Sequence, residues 1–171
     1  LVPGGFGSTG IEGKLNVIEY VRKQKIPYFG ICYGMQLAIL EYARNVLKLT
    51  NSSTEEIDPK AEHLVIGVMP EQREKIAKKE MGGSMRLGQY PALIKKGTLA
   101  RQAYKAEAIL ERHRHRYEVN PEYISKLEAA GMTFSGTSPD GRLMEIAELP
   151  TTVHPFFVGV QFHPELQARP L

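Results

Sequence analysis

The chain of 171 residues contains very little cysteine, little net charge and no long hydrophobic run. Its single cysteine, Cys32, excludes a disulfide within the chain and indicates a reducing compartment. No apolar stretch approaches the roughly 18 residues that a membrane-spanning helix needs, so we expect no membrane anchor. The formal charge of +3, from 22 basic and 19 acidic residues, is too small to make nucleic acid the expected partner. Because Leu1 and Val2 run directly into Pro-Gly-Gly, we expect no secretory signal and a cytoplasmic protein.

The composition is that of an ordinary soluble globular protein, with 42% apolar and 24% charged residues. A single domain over residues 1–171 is therefore expected. The segment 3–7 has loop chemistry of the kind that follows a strand, and little sequence remains after Glu165 for a closing helix. We therefore expect a fold that is truncated at both ends.

Strand-like and helix-like segments alternate along the chain. This alternation predicts an α/β fold with an open, largely parallel sheet flanked by helices. Helical spacing predicts helices over 14–23, from residue 35 for about three turns, and from Pro121, after an Asn120 cap, to a stop at Gly131. Extended segments are predicted over 26–31, 64–69, 111–119, 142–148 and 156–162, and a solvated connection over 72–79.

The cysteine lies between a short apolar strand and a long helix. Gly30 precedes Cys32 by two residues and Gly34 follows it by two, which suits a nucleophile on a strained strand-to-helix turn. The helix N-terminus is expected to lower the thiol pKa and to leave the Tyr33 N–H free for a developing oxyanion. The alternative is a buried structural cysteine beside glycines that serve helix packing.

A base and its orienting partner are available in His163-Pro164-Glu165, after an apolar strand. Residues i and i+2 of an extended segment point the same way, so His163 and Glu165 are expected to touch. A lone histidine after a strand is otherwise often a surface residue. The glycines of the Gly4–Gly7 loop allow backbone N–H groups to face a negative oxygen, and no Gly-Lys-Ser/Thr follows that would make it a phosphate loop.

These three pieces, in this order, closely resemble the class I (triad-type) glutamine amidotransferases, whose fold is flavodoxin-like. The family signatures are a Pro-Gly-Gly loop, a Gly-x-Cys-x-Gly elbow and a His-Pro-Glu strand, and the resemblance covers nearly the whole chain. Within this superfamily, further segments resemble the amidotransferase domain of the CTP synthase family. These segments are residues 5–7 with 12–14, 82–88, the Arg-His-Arg-His-Arg run within 111–120, and 161–165.

The resemblance implies a glutaminase half-reaction. Cys32 would attack the side-chain amide of L-glutamine, His163 would deliver a proton to the leaving ammonia, and Glu165 would orient His163. The resemblance places the oxyanion on the Gly5 and Tyr33 N–H groups, and it assigns glutamine binding to Tyr33, Gly34, Met35, Gln36, Glu55 and Arg116.

The resemblance also implies partners outside this chain. Ammonia would pass to a separate synthase domain, absent from the chain, that aminates UTP to CTP with ATP and Mg²⁺. No cofactor or metal is expected in the domain itself. A homo-oligomer formed through the synthase domain and a GTP activator are further expectations. Two residues depart from the family pattern. Tyr33 stands where the family usually has leucine, which bears on the pocket shape near the nucleophile. Thr9 stands where the lid loop usually has an arginine, which bears on GTP activation.

The basic repeat has its own physical interpretation. If residues 111–118 are extended, Arg112, Arg114, Arg116 and Glu118 share one face, and His113, His115 and Tyr117 share the other. Guanidinium groups in such a row can bind a carboxylate bidentately. A nucleic-acid patch, a metal site at the two histidines and a solvated salt-bridge face remain open as alternatives.

Two of the segments that match the family also have an ordinary structural interpretation. Thr54 before Glu55 is also typical of a helix cap, and 82–88 is also typical of a turn beside a strand. Two other functions remain open for the chain as a whole. The domain could serve another triad amidotransferase or act as a γ-glutamyl hydrolase, or it could be a non-catalytic regulatory or filament-forming module.

Overall fold

The computed structural model describes residues 1–68 and 85–168. The predicted connection over 72–79 and the 82–84 part of the glycine-rich segment lie outside the described residues. The helices are α1 (Ile11–Lys23), α2 (Tyr33–Asn45), α3 (Leu99–Tyr104) and α4 (Pro121–Ala129). The strands are β1 (Tyr28–Ile31), β2 (Ser52–Thr54), β3 (His63–Gly67), β4 (Arg86–Ile94), β5 (Ala108–His115), β6 (Glu118–Val119), β7 (Thr133–Thr137), β8 (Met144–Glu148) and β9 (Phe157–Val160).

The main sheet has six strands in the order β1-β9-β8-β7-β4-β5, and β2, β3 and β6 form a smaller sheet beside it. The α/β architecture is confirmed, but the main sheet is mixed rather than largely parallel. Among its strands only β1 and β9 pair in parallel. Short connections explain the difference. Residues 138–143 join β7 to β8 and residues 149–156 join β8 to β9, whereas parallel neighbours need a crossover of about a dozen residues or more.

Most predicted elements are present with shifted ends. Helix α2 begins at Tyr33 rather than residue 35, and α4 is capped as predicted: the Asn120 side chain accepts from the Glu122 N–H, and Pro121 is the first helical residue. The long strand β4 and the strand β7 were not predicted. Along β4 the side chains alternate between partly buried and exposed, and its interior Gly and Pro obscure a strand pattern.

Helices α1 and α2 pack on one face of the main sheet and form the larger part of the core. Every residue of α2 from Tyr33 to Ala43 is buried, so this helix runs through the centre of the molecule. Its N-terminus meets the end of β1, which places residue 32 at the edge where β1 and β9 both finish. In the described part of the chain, no helix is long and apolar enough to cross a membrane.

Candidate active site

Cys32 occupies the bend between β1 and α2. Its backbone has φ +50° and ψ −100°, a left-handed conformation that costs a non-glycine residue energy and persists only where the surroundings fix it. The Cys32 N–H donates to the Val160 carbonyl at 2.6 Å, and its carbonyl accepts from the Gln36 N–H at 3.2 Å. The tight strand-to-helix turn predicted at Cys32 is present, and the role of Cys32 as a nucleophile stays a prediction.

The glycines beside the elbow are required by close backbone contacts. A Cβ on Gly34 would lie 2.3 Å from the Val2 carbonyl oxygen, and one on Gly30 would lie 2.7 Å from the Gly34 carbonyl carbon. On β9, a Cβ on Gly159 would lie 2.9 Å from the Met35 Cβ. The elbow can therefore form only where these positions carry no side chain.

His163 and Glu165 are in contact, as predicted. The His163 Nδ1 lies 2.7 Å from the Glu165 Oε1, so the other ring nitrogen, Nε2, is left for a reacting group. The reason differs from the prediction: β9 ends at Val160, and the contact is made by a 3₁₀ turn at Pro164–Leu166 rather than by strand alternation. The His163 N–H donates to the Arg112 carbonyl of β5 at 2.8 Å, which fixes the segment against the sheet.

Cys32 and His163 line the same cavity of about 580 Å³. The His163 ring also packs against Gly4, where an added Cβ would lie 2.7 Å from Cε1. The volume is within the range of small-molecule sites. The cavity is lined by Gly5, Phe6, Cys32, Gln36, Glu56, Met85, Arg114, His115, Arg116, Tyr117 and His163.

Burial raises the pKa of the Cys32 thiol to about 12. The sequence predicted a lowering by the helix N-terminus, with the Tyr33 N–H left free. In the structure the Tyr33 N–H bonds to the sulfur and lowers the pKa, but its effect is smaller than that of burial, and the Glu118 and Glu165 carboxylates raise the pKa further. The predicted net lowering of the Cys32 pKa is therefore wrong. With this raised pKa the sulfur carries its proton at neutral pH, and it can act as a nucleophile only where a base removes that proton.

The Gly4–Gly7 loop lies over the start of α2. Gly5 lines the cavity, and an added Cβ there would be 3.3 Å from the Tyr33 Cδ1. The Tyr33 hydroxyl donates to the Gly7 carbonyl, and the Gly7 N–H donates to the Glu56 Oε1 at 3.0 Å. The Gly5 backbone thus lies against the Tyr33 ring, and the oxyanion role of the Gly5 and Tyr33 N–H groups stays a prediction.

The predicted glutamine-binding segment of α2 divides into two parts. Gln36 is buried but lines the cavity, and its Nε2 donates to the Tyr117 carbonyl at 3.1 Å and to the Gln161 Oε1 at 3.3 Å. Met35 packs instead against Gly159 of β9. The Gln161 Nε2 also donates to the Cys32 Sγ at 3.7 Å. Sequence analysis named Gln161 only as part of the 161–165 motif and gave it no role. An apolar strand pattern does not indicate a side-chain contact to a distant cysteine.

Glu55 and Glu56 follow β2 and face different surroundings. The Glu55 Oε2 accepts from the Val68 N–H at 2.8 Å, whereas Glu56 lines the cavity. Both carboxylates raise the pKa of Tyr117, another lining residue, although burial is the larger cause. Sequence reasoning singled out Glu55 and missed Glu56, because nothing in the local sequence distinguishes two adjacent glutamates.

The basic repeat is extended only as far as His115. Arg112 and Arg114 are exposed while His113 and His115 are buried, as predicted for a strand. Glu118 was placed on the arginine face, and this is wrong. The chain turns between β5 and β6, so Glu118 is buried on the histidine side, and its Oε1 lies 2.7 Å from the His115 Nε2. Arg116, in this turn, lines the cavity together with Arg114.

A buried ionic cluster lies behind the cavity. One Arg86 terminal nitrogen is 3.2 Å from the Glu118 Oε1 and 2.9 Å from the Glu145 Oε1. The His113 Nδ1 lies 3.7 Å from the Glu145 Oε2. Burial, assisted by the Arg86 charge, lowers the pKa of His113 to about 3. Among the described residues no group of three or more histidine, cysteine and carboxylate side chains is arranged to hold a metal ion.

The family profile described as "Glutamine amidotransferase class-I" matches residues 1–171. The chain belongs to this family. It is 56% identical to the CTP synthase of Halalkalibacterium halodurans and 54% identical to that of Archaeoglobus fulgidus, in each case over 99% of this chain. The chain spans 31% of the length of each of these relatives. The resemblance to the CTP synthase family that the motifs indicated is therefore confirmed.

The fold agrees with solved amidotransferase structures. The glutaminase domain of Trypanosoma brucei CTPS with bound acivicin matches with a TM-score of 0.88 and 38% identity, over 96% of this chain and 62% of that chain. A glutamine amidotransferase from Thermotoga maritima matches with a TM-score of 0.52 and 16% identity, over 91% of this chain and 47% of that one, which shows the shared fold alone. The predicted amidotransferase fold is confirmed.

Proposed function

We propose that this domain hydrolyses L-glutamine through Cys32, His163 and Glu165. The observation that carries the proposal is a cysteine at φ +50° on a strand-to-helix elbow, sharing one cavity with an imidazole whose Nδ1 is held by a carboxylate at 2.7 Å. A structural cysteine needs neither the strained bend nor the paired histidine. The arrangement supplies a nucleophile, a base and an orienting group, as covalent acyl transfer requires.

The first half-reaction forms a thioester. His163 Nε2 takes the Cys32 proton as the sulfur attacks the amide carbon of bound glutamine, and the carbonyl oxygen becomes an oxyanion. The Gly5 and Tyr33 N–H groups bind that oxygen. As the intermediate collapses, the carbon–nitrogen bond breaks and the imidazolium gives its proton to the departing ammonia. Glu165 stabilises the charged ring during both transfers.

The second half-reaction releases glutamate. Water attacks the γ-glutamyl thioester and loses a proton to His163, and the same two N–H groups bind the new oxyanion. The carbon–sulfur bond then breaks, and the imidazolium returns its proton to the Cys32 sulfur. The high thiol pKa of about 12 favours this final step, because the buried site disfavours a free thiolate.

Charged side chains around the cavity suit the ends of glutamine. We assign Arg116 to the α-carboxylate and Glu55 to the α-ammonium group, with the Tyr33 to Gln36 segment supporting the side chain. Arg116 lines the cavity, and the charge of Glu55 acts on the lining residue Tyr117. A cation and an anion that bind the two charged groups at one end of glutamine would select a zwitterionic amino acid over a simple amide.

We further propose that the domain works within a CTP synthase, a cytoplasmic homo-oligomer whose synthase domain uses ATP and Mg²⁺ to aminate UTP. The 54–56% identity to CTP synthases over nearly the whole chain supports this acceptor. GTP is the proposed activator, and Thr9 predicts a weaker response to it than an arginine would give. Joining the domain to a synthase domain and following glutamine-dependent CTP formation tests the acceptor; glutaminase activity without CTP formation favours another amidotransferase.

Labelling with a diazoketone analogue of glutamine tests the hydrolase proposal. Mass spectrometry should find one adduct, on Cys32, and Cys32→Ala should abolish both the adduct and ammonia release from glutamine. An unmodified Cys32 in folded protein, with a known amidotransferase labelled in parallel, would support a non-catalytic regulatory or filament module instead.

A further inference from the structure

Tyr33 carries a hydroxyl group that the proposed mechanism does not use. Its backbone N–H is a proposed oxyanion donor, but its side chain is buried beneath the Gly4–Gly7 loop, and its ring contacts the Gly5 backbone. Burial, aided by the Glu56 carboxylate, raises the pKa of Tyr33 to about 12, so the phenol keeps its proton at neutral pH. A buried phenolic O–H needs an acceptor, and its acceptor here is the Gly7 carbonyl.

Gly7 is held from two sides. Its carbonyl accepts from Tyr33 at the start of α2, and its N–H donates to Glu56 in the turn after β2 at 3.0 Å. Its φ of +77° is in the left-handed region, where glycine is preferred, and this turn directs the two backbone groups to their separate partners. Just after the loop, the Lys14 Nζ donates a further hydrogen bond to the Thr9 carbonyl at 3.2 Å.

We propose that the Tyr33 hydroxyl is a positioning residue for the oxyanion site: by binding the Gly7 carbonyl, it holds the Gly5 N–H next to the Tyr33 N–H. The proposal deepens the proposed glutaminase function and rests on it. The elbow and the loop come from distant parts of the fold, and the two donors must face one oxygen atom. A bond two residues from Gly5 fixes their spacing, because the short loop leaves few backbone angles free between them.

Two reactions of the same cysteine separate this role from general stability. Hydrolysis of glutamine passes through a tetrahedral oxyanion. Alkylation by a diazoketone analogue instead moves the thiol proton to the diazo carbon, and the sulfur then forms a bond to that carbon as N₂ leaves, a displacement that needs no tetrahedral oxyanion. Both reactions need the bound ligand and the Cys32 sulfur. A donor that is out of place should therefore slow hydrolysis and leave alkylation nearly unchanged.

The experiment compares Tyr33→Phe, Tyr33→Leu and Tyr42→Phe in the purified protein. Tyr42 is the matched control, because it lies on the same helix and its hydroxyl also donates to a backbone carbonyl, that of Ala130 at 2.6 Å. Both Tyr33 variants should lower kcat about tenfold, with KM and the diazoketone alkylation rate changed less than about twofold. Tyr42→Phe should leave all three constants within about twofold of the wild type while losing a similar bond.

An unchanged kcat in Tyr33→Phe, or an equal loss of hydrolysis and alkylation, would overturn the positioning role. Recovery of full activity in Tyr33→Leu would also contradict it, because leucine cannot bind the Gly7 carbonyl. A wild-type protein that is neither alkylated nor active would instead overturn the proposed glutaminase function, which separates the two failures.

Discussion

Burial shields the Cys32 sulfur in this structure. Burial is the main reason that the pKa of Cys32 is raised to about 12, because a thiolate there would be poorly solvated, and the Glu118 and Glu165 carboxylates add to the effect. A base that is correctly oriented by Glu165 is therefore as important as the sulfur itself. A cysteine held in this way avoids unselective oxidation and alkylation, since the thiolate is the reactive form.

Slow reaction with a neutral alkylating agent is the first prediction. Iodoacetamide should modify Cys32 at pH 7.5 more than about tenfold more slowly than it modifies the urea-unfolded chain. The rate should keep rising between pH 7 and 9.5, because the folded-state pKa of about 12 lies above this range. Mass spectrometry of quenched samples gives both rates, and a plateau below pH 8 would show a low thiol pKa.

Adjacent glutamates with different contacts give the second prediction. Glu55→Gln should raise KM for glutamine about tenfold or more with a smaller effect on kcat, because it removes the charge that we assign to the substrate ammonium group. Glu56→Gln weakens the acceptor of the Gly7 N–H, so it should act mainly on kcat. Steady-state kinetics of both variants test these two assignments. The reverse pattern, with KM raised mainly by Glu56→Gln, would show that Glu56 is the substrate-binding carboxylate.

The bend at Cys32 and the contact between His163 and Glu165 could be predicted from sequence because each is local in the chain. Gly30-Ile31-Cys32-Tyr33-Gly34 and His163-Pro164-Glu165 each specify a backbone geometry within a few residues. The Gln161 contact to sulfur and the Tyr33 contact to Gly7 depend on segments 129 and 26 residues apart, respectively. The direction of the Cys32 pKa was wrong because burial is a tertiary property, whereas the helix terminus is a local one.

At the scale of the element, the elbow depends on how closely β1, α2 and the first residues of the chain approach one another. Val2 forms a parallel bridge with Gly30, and its carbonyl accepts from the Ile31 N–H at 2.9 Å. The same carbonyl occupies the space that a side chain on Gly34 would need. The strand-to-helix bend and its neighbours are thus one packed unit.

Alanine at Gly34 should disrupt this unit. Because its Cβ would lie 2.3 Å from a backbone oxygen, we expect Gly34→Ala to lower the free energy of unfolding by more than about 2 kcal/mol. Gly13→Ala is the matched control, because Gly13 lies within α1 with no atom near an added Cβ, and it should be neutral or stabilise by about 0.5–1 kcal/mol. Urea unfolding measures both; equal stability of the two variants would contradict the close packing.

Element prediction succeeded where local signals were strong. Asn120-Pro121 fixed the start of α4, and helical spacing found α2. Strand β4 was missed because Gly88 and Pro91 interrupt its strand pattern. Its eight pairs with β5 also join residues that are separated in the sequence, which a local pattern does not reveal. The sheet was predicted to be largely parallel because alternation of strands and helices was the visible pattern, whereas the short connections around β8 impose antiparallel pairing.

At the scale of the whole molecule, the buried cluster of Arg86, His113, His115, Glu118 and Glu145 joins strands β4, β5, β6 and β8 behind the cavity. Two carboxylates face one guanidinium group, and burial raises the pKa of Glu145, with the Glu118 charge adding to the effect. His113 is kept neutral, since its pKa is about 3. The cluster therefore links the stability of the sheet to pH.

His113 should make the protein less stable in acid. Its folded-state pKa of about 3 is below the usual unfolded value of about 6.5, so the unfolded chain binds more protons between these values, and stability falls as pH decreases through this window. The His113 contribution has an upper limit of about 1.4 kcal/mol per pH unit. Urea unfolding at pH 4.5 to 7 should show a shallower loss for His113→Gln than for the wild type; parallel curves would exclude His113 as the cause.

Direct observation of the covalent intermediate tests the central claim. The protein is mixed with glutamine, quenched in acid during turnover, digested and measured by mass spectrometry. We predict a γ-glutamyl thioester on the peptide that contains Cys32, formed together with released ammonia and absent from a folded Cys32→Ala variant. Ammonia released at the same rate by the wild type and by Cys32→Ala, with no adduct on either, would contradict the account.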